Sequence, residues 1–183
     1  MIISNYQLRE GMMKMDYKIF DTLVEQGELT KNTNKDNTLF IYKYLKTFSD
    51  WTNDYVRKAR GIVLNDKNEI VVRPYEKFFN YNQYNWVLEE HTESLTARLS
   101  KGDKIEIQAM TMWENDVPFK VEEKLDGSLM CATNYQDELL LTSSGSIEGN
   151  YPKFFYNLLS EKFTKAQLES LKEAITGKTA IFE

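Results

Sequence analysis

Val121-Glu122-Glu123-Lys124-Leu125-Asp126-Gly127-Ser128-Leu129-Met130 is an apolar-bounded run broken by a charged turn. Phe119 to Glu123 reads as a strand entering the turn, and Leu129 to Thr133 as a strand leaving it. A fold gains little from a lysine beside an Asp-Gly turn at the end of a strand. Covalent nucleotidyl transfer needs that arrangement: an amine held rigidly, with backbone donors nearby for a phosphate. The five residues Lys124 to Ser128 alone fit a type I turn with a solvated lysine equally well.

Working outward, the strand after the turn is followed by Glu138 to Thr142, and the two read as a hairpin over Asn134 to Asp137. Upstream, Gly61 to Leu64 and Glu69 to Arg73 flank Asn65-Asp66-Lys67-Asn68, a second hairpin by turn composition, ended by Pro74. Thr38 to Leu45 alternates and reads as a strand; Thr30 to Asn37 reads as a loop. Met12, Met15, Ile19, Phe20 and Leu23 share a face of a helix expected over residues 8 to 26, with Gly27 as its stop. Tyr151 to Phe163 and Thr164 to Ile175 read as helices, the second with a Thr164–Gln167 capping box and Gly177 as its stop. Lys178 to Phe182 is a last strand. Leu88 to Leu99 reads as a helix and Lys104 to Met112 as a strand. Hairpins without regular βαβ units predict an α+β fold.

With 183 residues and no repeat or Pro/Gly/Ser linker, the chain reads as one domain, 1–183. A formal net charge of −5 means that no global field draws it to nucleic acid, so any such contact is local. One cysteine, Cys131, excludes an internal disulfide, and one histidine, His91, beside it makes a structural zinc site an unsuitable reading. No apolar run reaches membrane-spanning length and the N-terminus lacks a signal-peptide pattern, so a cytoplasmic location is the expectation; a monomer is expected, though nothing in the sequence fixes the oligomeric state.

Three further segments stand in a definite order around the lysine turn. They are Arg60-Gly61-Ile62-Val63, then Arg73-Pro74-Tyr75-Glu76-Lys77-Phe78-Phe79-Asn80, and, after the turn, Ser143-Ser144-Gly145-Ser146-Ile147; Ala180-Ile181-Phe182-Glu183 ends the chain. Jointly they resemble the ATP-dependent RNA ligases of the phage T4 RNA ligase 1 type, in the covalent nucleotidyltransferase superfamily of ligases and capping enzymes. The resemblance runs from about residue 38 to the C-terminus. It implies the nucleotidyltransferase fold, antiparallel sheets with flanking helices, here incomplete on its C-terminal side. Residues 86–117 are longer than that family leads one to expect and read as an insertion.

The resemblance implies that Lys124 attacks the α-phosphate of ATP and releases pyrophosphate, leaving a lysyl-AMP phosphoramidate. AMP then passes to a 5′-phosphate RNA end, and a 3′-hydroxyl displaces it to seal the strand. A lysine has an ordinary pKa of about 10.4 and attacks only as the free amine, which burial and neighbouring cations favour. By the same resemblance Arg60 contacts nucleotide phosphates or ribose, Lys77 lies on the phosphate side, and Phe79 lies near the adenine. Tyr42 stands near the nucleotide, Gly127 forms a tight turn against the sugar or phosphate, and Asp126 positions that turn or a metal-bound water. Glu183 binds the ribose or a magnesium ion, which offsets phosphate charge. The RNA partner that the family suggests is a broken tRNA.

Two departures qualify the comparison. Family members place a lysine just before the Gly-Ser pair, where this chain has Ser144, so one phosphate-facing cation is missing or supplied elsewhere. The later strands of the family, with their lysines, are not in the sequence, and one lost contact of that kind can cost about 2.7–4 kcal/mol in the transition state; the expectation is a fragment with little activity alone. The rival readings are a DNA ligase or capping-type nucleotidyltransferase, and a non-catalytic nucleotide- or RNA-binding fragment. The Arg73–Asn80 segment favours the RNA ligase.

Overall fold

The computed structural model describes residues 2–3, 16–45, 50–77 and 127–183. All of these fall in one of the chain's two units, Met1–Lys77 with Asp126–Glu183. The expected elements between residues 86 and 123, and the first part of the helix expected over 8 to 26, lie outside the described residues.

The chain begins with a two-residue strand, β1 (Ile2–Ile3), and the helix α1 (Ile19–Glu25). Gly27, at φ +78°, closes α1 as expected: its N–H donates to the Val24 carbonyl and that of Glu28 to Leu23, a Schellman stop. The first sheet then forms from β2 (Leu29–Thr33), β3 (Leu39–Tyr44), β4 (Arg60–Asn65) and β5 (Ile70–Val72), paired in that order. A short helix α2 (Asp54–Lys58), capped by the Asn53 side chain accepting from Tyr55 N–H, lies between β3 and β4. The second sheet has the order β1-β8-β6-β7, with β6 (Met130–Tyr135), β7 (Glu138–Ser143) and β8 (Ala180–Phe182). Helices α3 (Asn150–Lys162) and α4 (Lys165–Ala174) join β7 to β8, and the Thr164–Gln167 capping box is formed. Every strand pairing among the described residues is antiparallel, so the class is α+β.

Both expected hairpins form. The β4–β5 turn is held by Asn65 Oδ1, which accepts from Lys67 and Glu69 N–H, with Asn68 at φ 61°. The β6–β7 turn is tighter than expected, two residues only, with Gln136 and Asp137 both at positive φ in the manner of a type I′ turn. The loop expected over Thr30 to Asn37 is overturned in its first half, which is strand β2. Only Leu29 of β2 is buried, so the alternation that marks a half-buried strand is missing. Backbone pairing to β3 holds it, and Asn34 Oδ1 fixes the turn by accepting from Thr38 and Leu39 N–H.

Apolar contacts stack the described unit into four layers. Phe20, Leu23 and Val56 of α1 and α2 pack on Tyr42, Ile62 and Leu64 of the first sheet. Leu39, Ile41, Val63 and Val72 face Leu129, Cys131, Ile147 and Ile181 between the sheets. Met130, Ala132 and Leu141 carry Phe155, Leu159 and Ile175 on the far side. Strands β3 and β4 are therefore covered on both faces, which explains their nearly continuous apolar runs. Among the described residues no helix is long and apolar enough to cross a membrane.

Candidate functional site

The site grows from an irregularity in β4. Tyr42 pairs with Ile62 across β3 and β4, but the next residue, Lys43, pairs with Arg60, leaving Gly61 as an extra residue at φ +100°. Simple alternation would put Arg60 on the face of Ile62 and Leu64, against the helices. The extra residue reverses its face, and Arg60 stands beside Lys43, the continuation of the Leu39–Ile41 face towards the second sheet.

Gly61 also brings the sheets together. A Cβ there would meet Ser144 Cα at 2.9 Å and its carbonyl oxygen at 3.0 Å, an approach that only glycine permits. The facing loop, residues 143–146, is tied by its own serines. Ser143 N–H donates to the Ser146 carbonyl at 2.9 Å, and Ser143 Oγ accepts from Ser146 N–H at 3.1 Å. Asn32 Nδ2 donates to the Gly145 carbonyl at 2.9 Å, anchoring the loop to β2.

A cavity of about 540 Å³ opens at this junction. Lys43, Tyr44 and Arg60 line it from the first sheet, Gly127 to Leu129 and Ser143 to Ser146 from the second sheet and its loops, together with Tyr151 and Glu183. Gly127 and Glu183 touch closely: a Cβ on Gly127 would lie 3.1 Å from Glu183 C and 3.3 Å from its Cγ. A smaller cavity of about 290 Å³, lined by Asn65, Arg73, Tyr135 and Lys178 among others, holds no residue expected in the site.

Three expected site residues, Arg60, Gly127 and Glu183, thus meet in one cavity from distant parts of the chain. Lys77 stands one residue back: its Nζ is 5.7 Å over the Trp51 ring, and Trp51 packs edge-on at 4.9 Å against Tyr44 of the cavity wall. Tyr42, expected near the nucleotide, is placed on the opposite face of β3, only 1% exposed and stacked on Phe20 at 5.1 Å. Its hydroxyl donates to Asp21 Oδ1 at 2.8 Å, and Asp21 also pairs with Lys31 at 2.7 Å. Lys124, Asp126 and Phe79 lie outside the described residues.

Burial raises the pKa of Tyr44, and the Arg60 charge opposes that rise. Burial pushes the Cys131 thiol up to about 12, again against Arg60, so this thiol is inert packing between the sheets. Sequence reasoning missed Lys43, Tyr44 and Tyr151; the signal for Lys43 is its place after Leu39 and Ile41 in one alternating set. Among the described residues no three His, Cys, Asp or Glu side chains gather as a metal cluster. A magnesium ion carried in by a triphosphate needs only one or two protein carboxylates, and Glu183 is the one on the described cavity wall.

No curated protein matches the chain. A family model for RNA ligases, of the T4 RNA ligase 1 type, matches residues 58–183, a span that contains Arg60, Gly127, the serine loop and Glu183. That match covers more than half of the sequence, and the chain belongs to the RNA ligase family.

Proposed function

We propose that the chain is the nucleotide-binding part of an ATP-dependent RNA ligase with the nucleotidyltransferase fold, and that Lys124 is its nucleophile. The observation that carries this reading is the meeting of Arg60, Gly127 and Glu183 in one cavity, within a span that matches the RNA ligase family. Lys124 is three residues before Gly127 in the sequence, within the Lys-Leu-Asp-Gly-Ser segment that supports its assignment as the nucleophile.

In this reading the free Lys124 amine attacks the α-phosphorus of ATP. An N–P bond forms, the bond to pyrophosphate breaks, and the lost N–H proton goes to solvent. The AMP group is next transferred to a 5′-phosphate RNA end, and a 3′-hydroxyl displaces AMP to join the strands. Arg60 offers donors to the phosphates in a planar fork. Bound magnesium would supply charge neutralisation of the triphosphate, with Glu183 holding it. The serine loop supplies hydroxyl and backbone groups at the same wall.

The test is incubation with ATP labelled on its α-phosphate, with magnesium, followed by denaturing gel. The expected product is protein-bound label that is acid-labile, alkali-stable and lost on Lys124→Ala. Transfer of the label to 5′-phosphorylated RNA, and then strand joining, should follow. Absence of labelled protein from this chain and from any longer natural protein that carries it would sink the reading. Preference for nicked duplex DNA over RNA ends would replace it with a DNA ligase.

A further inference from the structure

We propose that Lys43 supplies a phosphate-binding ammonium in the cavity, lying against the serine loop from the neighbouring sheet. The inference rests on the proposed function, which brings a phosphorylated ligand to this cavity, and adds a residue and a location to it.

Three observations carry it. Lys43 stands directly opposite Arg60 in the β3–β4 register, so two cations sit side by side at the cavity wall. The Lys43 side chain runs along the loop: its Cδ and Nζ lie 3.3 and 3.4 Å from where a Gly145 Cβ would be. Among the described residues no carboxylate forms an ion pair with it. The described lining thus carries the cationic side chains of Lys43 and Arg60 together with the carboxylate side chain of Glu183. Two cationic side chains brought to one wall can both donate to an anion.

The position of the ammonium answers the departure at Ser144. A cation expected from the loop itself is replaced by a neutral hydroxyl, and Lys43 reaches that same loop from across the sheet junction. Gly145 leaves the room it needs. A lysine acts on phosphate as a compact charge with rotatable donors, so arrival from a different strand does not alter what it can do.

The phosphate has two sources, ATP and the 5′ end of RNA, and titration calorimetry on the chain separates them. ATP is compared with adenosine, and a 5′-phosphorylated oligoribonucleotide with its 5′-hydroxyl form. Lys43→Met keeps the aliphatic stem and removes the charge. It is expected to weaken one phosphorylated ligand about tenfold or more, the size of one charge-assisted hydrogen bond, and to leave its phosphate-free counterpart unchanged. The ligand that weakens identifies the source. Lys43→Arg should keep most of the affinity, and adding Ser144→Lys to Lys43→Met should restore it. Lys43→Gln carries the same expectation if the methionine variant has a lowered thermal midpoint. Equal affinities of wild type and Lys43→Met for both phosphorylated ligands would overturn the role of Lys43 and leave the proposed function standing. Failure of the unmodified chain, and of any longer natural protein that carries it, to bind either ligand would remove both.

Discussion

Gly61 lies so close to Ser144 that a single added carbon would stand 2.9 Å from the serine's Cα. The contact joins the first sheet to the Ser143–Ser146 loop that lines the cavity, and the same residue is the extra one that turns Arg60 towards Lys43. Gly61→Ala meets two obstacles at once. Its φ of +100° is strained for any side chain, and the obstructing atoms are backbone, which cannot rotate away. The expected cost is about 2–4 kcal/mol in unfolding free energy, with ATP binding lost in the molecules that remain folded. Urea denaturation checks the first part and calorimetry the second. An alanine variant as stable as wild type would show that the bulge is not required.

Tyr42 makes a contrasting prediction, because the fold puts it against α1 and not in the cavity. Tyr42→Phe removes the hydrogen bond to Asp21 and should cost about 1 kcal/mol of stability while leaving ATP affinity unchanged. The pH dependence follows from Asp21. Its burial raises the carboxyl pKa, but the Lys31 and Tyr42 hydrogen bonds outweigh this and hold it below the ordinary 3.8. A depressed carboxyl stabilises the fold above its unfolded pKa and loses that contribution as pH falls through the folded value. The gap between wild type and Tyr42→Phe should therefore narrow below about pH 4 in acid unfolding curves. A variant with weakened ATP binding and unchanged stability would return Tyr42 to the nucleotide site.

What the sequence made legible is what local chemistry decides. The β4–β5 and β6–β7 hairpins were marked by Asn and Asp at turns that need positive φ, found at Asn68, Gln136 and Asp137. The stops at Gly27 and Gly177 and the Thr164 cap were visible for the same reason. Strand β2 was hidden because its outer positions are polar and its stability comes from pairing. The site was half visible. Arg60, Gly127 and Glu183 stood in motif segments, but the face of Arg60 depends on a bulge that periodicity cannot show. Tyr42 and Lys43 are adjacent, and a strand sends neighbours to opposite faces. Which of the two faces the cavity is decided by which face the second sheet covers, and only the tertiary structure fixes that.

Cys131 offers a test of the packing between the sheets. It is 2% exposed, and its pKa is raised by burial from 9.0 to about 12. A raised thiol favours the folded state below the unfolded pKa, and that contribution fades as pH climbs towards 12. At pH 8 the native protein should react with a disulfide reagent only as fast as it opens, while protein in guanidinium reacts at once. Fast stoichiometric labelling of the native chain would show that the apolar layer around Leu129, Ile147 and Ile181 is not closed.

Gly127 and Glu183 give a prediction about function with little change in stability. A Cβ on Gly127 would crowd Glu183 by a few tenths of an ångström, and Glu183 is exposed and able to yield. Gly127→Ala should then stay within about 1 kcal/mol of wild type in unfolding free energy. Its effect should pass through the displaced carboxylate, and ATP affinity measured with magnesium should fall several-fold. Glu183→Gln removes that carboxylate's charge without changing its size. If the two residues act as one unit, Gly127→Ala on a Glu183→Gln background should cause no further loss. Independent, additive losses in the four-way comparison would mean that Gly127 meets the ligand directly, through its own backbone.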